Sequence, residues 1–116
     1  MFNQWLIFHA KHETIKNKLE LLLMKYQLTL SSYTVLYLLS LQELNELRIV
    51  ELSKKLGLSK SATSRLVVKM EKQTNYLVRE TCEKDDRGLY AVLTTEGSEL
   101  ISTIQKDVES LLKQCI

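Results

Sequence analysis

Apolar residues recur every three or four positions along most of the chain, the spacing of one face of an α-helix. The first such stripe lies within residues 5–28 and contains Ile15, Leu19, Leu22, Leu23 and Tyr26. A second helix is predicted over residues 33–42, which are apolar on nearly all sides, and Ser31 or Ser32 can supply its N-cap. Residues 43–46 break this pattern and are predicted to form a connector.

Two short helices are predicted on either side of Gly57. The first covers residues 49–56, and glycine can adopt the left-handed conformation that ends a helix. Leu58 is expected to fill the corner between the helices, and Ser59 can cap the second one. On that second helix Ala62, Leu66 and Met70 recur every four residues and are expected to pack inward. Its opposite side carries Lys60, Ser61, Ser64, Val68 and Lys72, with Arg65 on the flank.

Helical spacing then gives way to alternation of apolar and polar residues. Residues 76–83 and 89–94 are predicted strands, joined by a charged turn over residues 84–88. Thr94 or Thr95 can cap a last helix, on which Ile101, Ile104, Val108 and Leu111 form a stripe. The order of these elements predicts a mainly helical domain with a small β hairpin.

Charge is distributed unevenly along the chain. The 116 residues carry a net charge of +2. Between Lys54 and Lys72, however, six basic residues face one acid, Glu71, a local balance of 6 − 1 = +5. The remainder then sums to 2 − 5 = −3. Such asymmetry is typical of a protein that binds a polyanion, although a solvated helix face is the simpler alternative.

The two cysteines and the lengths of the apolar runs indicate a location in the cell. Cys82 and Cys115 do not make a disulfide framework and are typical of a reducing cytoplasm. No apolar run approaches the roughly 20 residues that span a bilayer. The first residues lack the basic leader and cleavage site of a secretion signal, so a cytoplasmic protein without membrane contact is expected.

Two motifs follow the basic helix in fixed order. They are Asp85-Asp86-Arg87-Gly88 and Leu93-Thr94-Thr95-Glu96-Gly97. Together they resemble the wing signature of MarR-type transcription regulators, D-x-R followed by L-T-x-x-G, and residues 52–71 resemble the helix-turn-helix of that family. The short length resembles the small staphylococcal accessory regulator (SarA-like) branch. The resemblance implies a winged helix-turn-helix fold, mainly α with a small β wing, that dimerises through its N- and C-terminal helices.

The same resemblance implies a function and a mode of binding. It implies a homodimer that binds double-stranded, A·T-rich promoter DNA, with the recognition helix in the major groove and the wing in the minor groove. Arg87 would enter the minor groove, where the negative potential suits a guanidinium, and Asp85 would hold it in place. Asp86 stands where many relatives have a second basic residue, which makes this wing less basic.

These observations predict one winged-helix domain over residues 1–116. Residues 1–28 and 96–116 are predicted dimerisation helices, and residues 47–94 are the predicted helix-turn-helix and wing. The predicted DNA-binding residues are Lys54, Lys55, Ser59, Lys60, Ser61, Thr63, Ser64, Arg65, Lys69, Lys84, Asp85 and Arg87. Among these, Ser61, Ser64 and Arg65 are expected at base edges and the lysines mostly at phosphates. The predicted dimerisation residues are Trp5, Ile15, Leu19, Leu22, Ile101, Ile104, Val108 and Leu111.

The same residues allow other interpretations of the function. The winged helix could bind another regulator instead of DNA, or the protein could sense thiol oxidation at Cys82 or a metal near His9, His12 and Glu13. Aromatic residues could line an effector crevice or simply pack in the core; they are Trp5, Phe8, Tyr33 and Tyr37. The sequence shows no pairing of nucleophile and base, so a non-enzyme without cofactor or metal is expected, and a small-molecule effector stays undecided.

Overall fold

The described residues of the chain form five helices and three strands. The computed structural model describes residues 1–82 and 85–116, with the backbone alone for residues 82 and 85–88. In chain order the elements are α1 (Phe2–Met24), α2 (Leu30–Ser40), β1 (Glu46–Arg48), α3 (Ile49–Leu56), α4 (Lys60–Gln73), β2 (Leu77–Cys82), β3 (Asp85–Leu93) and α5 (Thr95–Cys115). The predicted winged helix-turn-helix, mainly α with a small β wing, is confirmed.

The three strands form one antiparallel sheet in the order β1-β3-β2, so β3 is central. The hairpin of β2 and β3 is called the wing below. Its register runs from the pair Leu77–Leu93 to the pair Thr81–Leu89, and it shifts after Thr81. Strand β1 was not predicted, because three residues are too few for alternation to be visible.

The hydrophobic core draws on every helix and on the sheet. Completely buried side chains include Leu23 of α1, Leu36 and Leu39 of α2, Leu52 of α3 and Ile104 of α5. Helix α2 lies at the centre, in contact with α1, α3, α5 and the sheet. Its apolar residues on nearly all sides predicted this central position.

The inward stripe of α5 belongs to this core and not to a dimer interface. Ile101 is 3% exposed, Ile104 0% and Val108 7%, because α5 packs directly on α1 and α2 of the same chain. The assignment of these three residues to dimerisation is therefore wrong, since almost none of their surface is left for a partner. Leu111, the fourth member, is partly exposed.

Helix α1 buries much less of its surface. Of its predicted stripe only Leu23 is buried, while Ile15, Leu19 and Leu22 are partly exposed. At its N-terminal end Trp5 is exposed and stacks on His9, with 5.0 Å between ring centroids. Much of the apolar surface of this helix is thus left uncovered by its own chain.

Hydroxyl side chains begin three of the helices. Thr29 caps α2, because its Oγ1 accepts the backbone N–H of Ser32 at 3.1 Å. The predicted cap at Ser31 or Ser32 was wrong. Several hydroxyl residues lie close together here, and the sequence does not show which of them keeps the extended backbone of an N-cap residue. Thr94 caps α5 by accepting the N–H of Gly97 at 3.0 Å, as predicted.

Candidate nucleic-acid interface

Gly57 forms the turn between α3 and α4. Its φ of 71° and ψ of 27° are left-handed, as predicted for the residue that ends α3. The N–H of Leu58 then donates to the carbonyl oxygen of Ser53 at 3.1 Å. Backbone hydrogen bonds therefore close the corner, whereas the Leu58 side chain is 43% exposed and does not fill it. The expectation for Leu58 was wrong.

Ser59 fixes the start of α4 and determines which of its faces points outward. The Ser59 hydroxyl accepts the N–H of Ala62 at 3.1 Å. The buried stripe of α4 then consists of Thr63, Val67 and Met70. The predicted stripe of residues 62, 66 and 70 was one residue off in its first two members, because a spacing of four and then three matches 3.6 residues per turn better than two spacings of four.

Thr63 is removed from the DNA-binding set by this register. Its side chain is 0% exposed, and its hydroxyl donates to the carbonyl oxygen of Ser59 at 2.9 Å. A side chain without accessible surface cannot contact DNA, so that assignment was wrong. Its role is to fix the first turn of α4 to the core.

A groove of about 690 Å³ opens where α3, α4 and the sheet meet. Its polar lining includes Arg48, Glu51, Lys54, Lys60, Ser61, Ser64 and Arg65. Four of these seven side chains are basic and one is acidic. The groove therefore brings five predicted residues from two helices together in a positively charged setting suited to phosphates and base edges.

A second, shallower groove of about 350 Å³ follows the outer side of α4. It is lined by Ser64, Arg65, Val68, Lys69, Lys72 and Gln73. Because Ser64 and Arg65 line both grooves, the two form one continuous surface, called the α4 surface below. A helix of about 10–12 Å diameter fits a major groove about 12 Å wide.

The remaining predicted DNA contacts lie apart from this surface or outside the described part. Lys55 is exposed on α3 but lines neither groove. Ser59 is exposed, with its oxygen engaged as the helix cap. Lys84 lies outside the described residues, and Asp85 and Arg87 begin β3 with side chains that are not described. The pairing of Asp85 with Arg87 stays a prediction.

Arg48 is a basic residue of the groove that the sequence did not reveal. It ends β1 opposite Tyr90 of β3, and its Nε donates to the Tyr90 hydroxyl at 3.0 Å. The guanidinium carbon lies 5.6 Å from the centre of the Tyr90 ring, within the range of a cation–π contact. Only strand pairing across 42 residues brings these side chains together, and no local pattern signals it.

The residues considered for a sensor or an effector crevice are arranged as follows. Tyr33 and Tyr37 stack at 6.2 Å on α2, while Trp5 belongs to a separate stack on α1. His12 lies 3.7 Å from Glu13. Among the described residues, no three His, Cys, Asp or Glu side chains are grouped to hold a metal ion. Within the same part of the chain, the helices are too short or too polar to cross a membrane.

Comparison with known proteins gives a consistent picture. The MarR family model matches residues 26–88, more than half of the chain. The regulator SarZ of Staphylococcus aureus (strain USA300), an HTH-type transcriptional regulator, is 31% identical over 98 residues, which are 84% of this chain and 64% of SarZ. The resemblance to the SarA-like branch is thus confirmed among curated relatives.

Solved structures agree with the sequence matches. AbsC, a MarR family transcriptional regulator from Streptomyces coelicolor, superposes with a TM-score of 0.92 at 30% identity, covering 97% of this chain and 76% of AbsC. A second MarR family regulator from that organism was solved in complex with DNA. It superposes with a TM-score of 0.89 at 26% identity, and the match covers 97% of this chain and 70% of the chain of that regulator. Membership in a family of transcriptional regulators confirms the expectation of a non-enzyme. By sequence and by fold, the chain belongs to the MarR family.

Proposed function

We propose that this regulator acts in the cytoplasm by binding A·T-rich promoter DNA as a homodimer, with α4 in the major groove and the wing in the minor groove. The observation that carries the proposal is the α4 surface. There Lys60, Ser61, Ser64 and Arg65 line one groove at the N-terminal end of an accessible helix. The S. coelicolor relative that was solved with DNA supports the same use of the fold.

The residues of the α4 surface are proposed to have two roles, contact with base edges and contact with phosphates. Ser61 and Ser64 are small, which lets the helix approach base edges closely, and Arg65 can donate two hydrogen bonds to a guanine. Lys54 on α3 and Lys69 on α4 lie on different sides of Arg65, in separate grooves. Lysines in these two positions suit the phosphates on either side of a major groove.

The minor-groove contact rests on the wing motif. Arg87 falls near the start of β3, at the end of the hairpin far from the helical body. A·T-rich tracts have a narrow minor groove whose negative potential attracts an inserted arginine. This is the reason for proposing a preference for A·T-rich sites, with no base-specific wing contact required.

The proposal of a homodimer is based on the exposed apolar surface of α1. Phe2 is 70% exposed, Ile7 71% and Phe8 69%. A cluster of large apolar side chains on a protein of this size indicates a surface that a partner covers. Trp5, Ile15, Leu19, Leu22 and Leu111 keep surface for the same interface. A palindromic site requires the two copies of α4 to lie roughly 34 Å apart, and two-fold pairing of identical chains supplies the matching symmetry.

A gel-shift titration tests the proposal. A promoter fragment rich in A·T and a G·C-rich fragment of equal length are titrated at roughly 50 and 200 mM salt. Tighter binding to the A·T-rich fragment is expected, and six phosphate contacts would lower affinity about 10³-fold between the two salt concentrations. Absent or salt-insensitive binding would instead favour a module that binds another regulator. Binding that changes on mild oxidation or chelation would favour a sensor.

A further inference from the structure

Glu71 on α4 and Arg79 on β2 are joined by two hydrogen bonds. The Arg79 Nε donates to Glu71 Oε1 at 2.9 Å, and the Arg79 backbone N–H donates to Glu71 Oε2 at 2.7 Å. Roughly a third of each side chain is exposed, 35% of Arg79 and 27% of Glu71. One carboxylate thus binds both the side chain and the main chain of the same strand residue, which fixes position as well as charge.

The backbone hydrogen bond identifies which edge of the wing Glu71 holds. Among the described strands β2 pairs with β3 alone, which makes it an edge strand of the sheet. The Arg79 N–H that binds Glu71 is directed away from β3 and would otherwise be an unpaired edge donor. Helix α4 therefore covers this edge through one side chain at the middle of β2.

The Glu71–Arg79 contact lies between the two elements that are proposed to bind DNA. Glu71 lies six residues after Arg65 on α4, and Arg79 lies eight residues before Arg87. The contact therefore stands between the proposed major-groove and minor-groove elements. Through β2 it joins the helix that reads bases to the hairpin that carries the wing arginine.

The negative charge of Glu71 is a second reason why this side chain is expected to need a basic partner. Glu71 is the one acid among residues 54–72, on a helix otherwise suited to a polyanion. The N–H groups of Arg79 hold the pKa of the Glu71 carboxyl below its ordinary value, so the carboxylate keeps its negative charge to lower pH than an isolated glutamate does. A lone carboxylate here would repel phosphates, whereas the paired one adds no net charge.

We propose that the Glu71–Arg79 pair is a clamp that sets the position of the wing relative to α4, and that Arg79 is a positioning residue and not a DNA contact. The inference rests on the DNA-binding function proposed above. It predicts an unusual sign for one substitution. Removing a negative charge from a DNA-binding helix ordinarily strengthens DNA binding, whereas Glu71→Gln is expected to weaken specific binding because the wing is released.

The first experiment compares Glu71→Gln with Glu80→Gln. Glu80 is an exposed residue of β2, next to Arg79, and each of the two variants loses one negative charge. On a specific promoter fragment, Glu71→Gln is expected to bind about threefold to tenfold more weakly than the wild type, in line with the loss of a charge-assisted contact. Hydroxyl-radical protection in the minor groove is expected to fade with it. Glu80→Gln should bind as tightly as the wild type or more tightly, with the footprint unchanged.

A double-mutant cycle separates a clamp from a direct phosphate contact. Arg79→Gln is measured alone and in the Glu71→Gln background. A clamp predicts that most of the Arg79→Gln effect disappears when Glu71 is already changed. An equal loss in both backgrounds, with the salt slope reduced by about one unit, would make Arg79 a phosphate contact and overturn the proposal.

Hydrogen exchange on the free protein tests, without DNA, whether Glu71 holds the backbone N–H of Arg79. In Glu71→Gln the amide of Arg79 is expected to exchange about tenfold faster, a change of about 1.4 kcal/mol in local opening, while amides of α5 keep their rates. Unchanged exchange at Arg79 would refute the clamp. A wild-type protein that fails to bind DNA would refute the proposed function, and this exchange measurement would still test the contact itself.

Discussion

Gly97, in the first turn of α5, lies directly against the carbonyl group of Tyr76, the residue before β2. A Cβ at Gly97 would overlap the Tyr76 carbonyl oxygen and crowd the Leu93 side chain. Thr94 closes the same junction, since its hydroxyl donates to the Asn75 carbonyl oxygen at 2.5 Å and accepts the Gly97 N–H at 3.0 Å. The L-T-x-x-G motif is thus the point where the last helix is joined to the start of the wing.

Gly97→Ala is expected to lower the free energy of unfolding by about 1–3 kcal/mol, the usual effect of overpacking. The obstacle is backbone at Tyr76, which cannot move aside as a flexible side chain could. Urea denaturation measures the change. Ser98→Ala, at the next position of the same helix turn, should stay within about 0.5 kcal/mol of the wild type. Equal stability of the two variants would contradict the packing described for this junction.

Thr63 and Ser64 are adjacent on α4 but are expected to respond in opposite ways to substitution. Thr63→Val keeps the volume and removes the buried hydroxyl, so it should lower the unfolding free energy by about 0.5–1.5 kcal/mol and leave DNA affinity unchanged. Ser64→Ala should weaken specific DNA binding and leave stability unchanged. Thermal unfolding and gel shift, run on both variants, measure the two effects. DNA affinity lost in Thr63→Val at full stability would mean that α4 is rotated from its described register.

Arg65 and Lys69 lie one turn apart on the α4 surface, where Arg65 is proposed to contact base edges and Lys69 a phosphate. Arg65→Ala should lose about 1–3 kcal/mol on the specific site and much less on random DNA. Lys69→Ala should weaken both DNAs alike and flatten the salt slope by about one unit. Competition titrations at several salt concentrations measure both quantities. Equal losses on specific and random DNA in Arg65→Ala would refute the base contact.

Trp5→Glu should convert the proposed dimer to a monomer. An unpaired carboxylate in an apolar interface costs several kcal/mol, so the dissociation constant should rise about a hundredfold or more. Sedimentation equilibrium across a concentration series measures it, and circular dichroism checks the fold. Lys11→Glu, an exposed change of charge on the same helix, is the matched control. A Trp5→Glu protein that remains dimeric would move the interface away from the N-terminal half of α1.

The Glu71–Arg79 pair should make stability depend on acid pH. The pKa of Glu71 is lowered from 4.5 by the N–H groups of Arg79. The stabilising contribution is therefore complete above the unfolded-state pKa and is lost as pH falls through the folded-state pKa. Between about pH 7 and pH 3 the wild type should lose more stability than Glu71→Gln, so their difference narrows in acid. Parallel curves from denaturant titrations would show that the pair contributes nothing.

The long periodic segments and the glycine turn could be read from the sequence, because they depend on local spacing. Gly57, Ser59 and Thr94 all occupy the turn or cap positions predicted for them. The second helix begins three residues and ends two residues earlier than predicted, because Thr29, and not Ser31 or Ser32, supplies its cap. The buried stripe of α4 differs from the predicted one by one residue at Thr63 and Val67, because positions spaced four and then three apart follow the helical repeat more closely than positions spaced four apart.

The site was predictable where it is made by consecutive turns of one helix. Lys60, Ser61, Ser64 and Arg65 share a groove because their spacing places them at one end of α4. Arg48 and Arg79 were missed because sheet pairing and a helix–strand contact position them. The stripe of α5 was recognised, but amphipathicity alone cannot tell whether the buried side meets the same chain or a second copy.

The central place of β3 in the sheet has a mechanical consequence. One edge of β3 holds β2 and the other holds β1, which leads without a break from Arg48 into α3. A movement of the base of the wing, where β1 pairs with residues 90–92, would therefore pull on the start of the helix-turn-helix. In the proposed dimer, each copy would present its major-groove and minor-groove elements as one rigid unit. Adjustment to operators of different length or bend would then come from the angle between the two copies, which is set where the α1 helices meet.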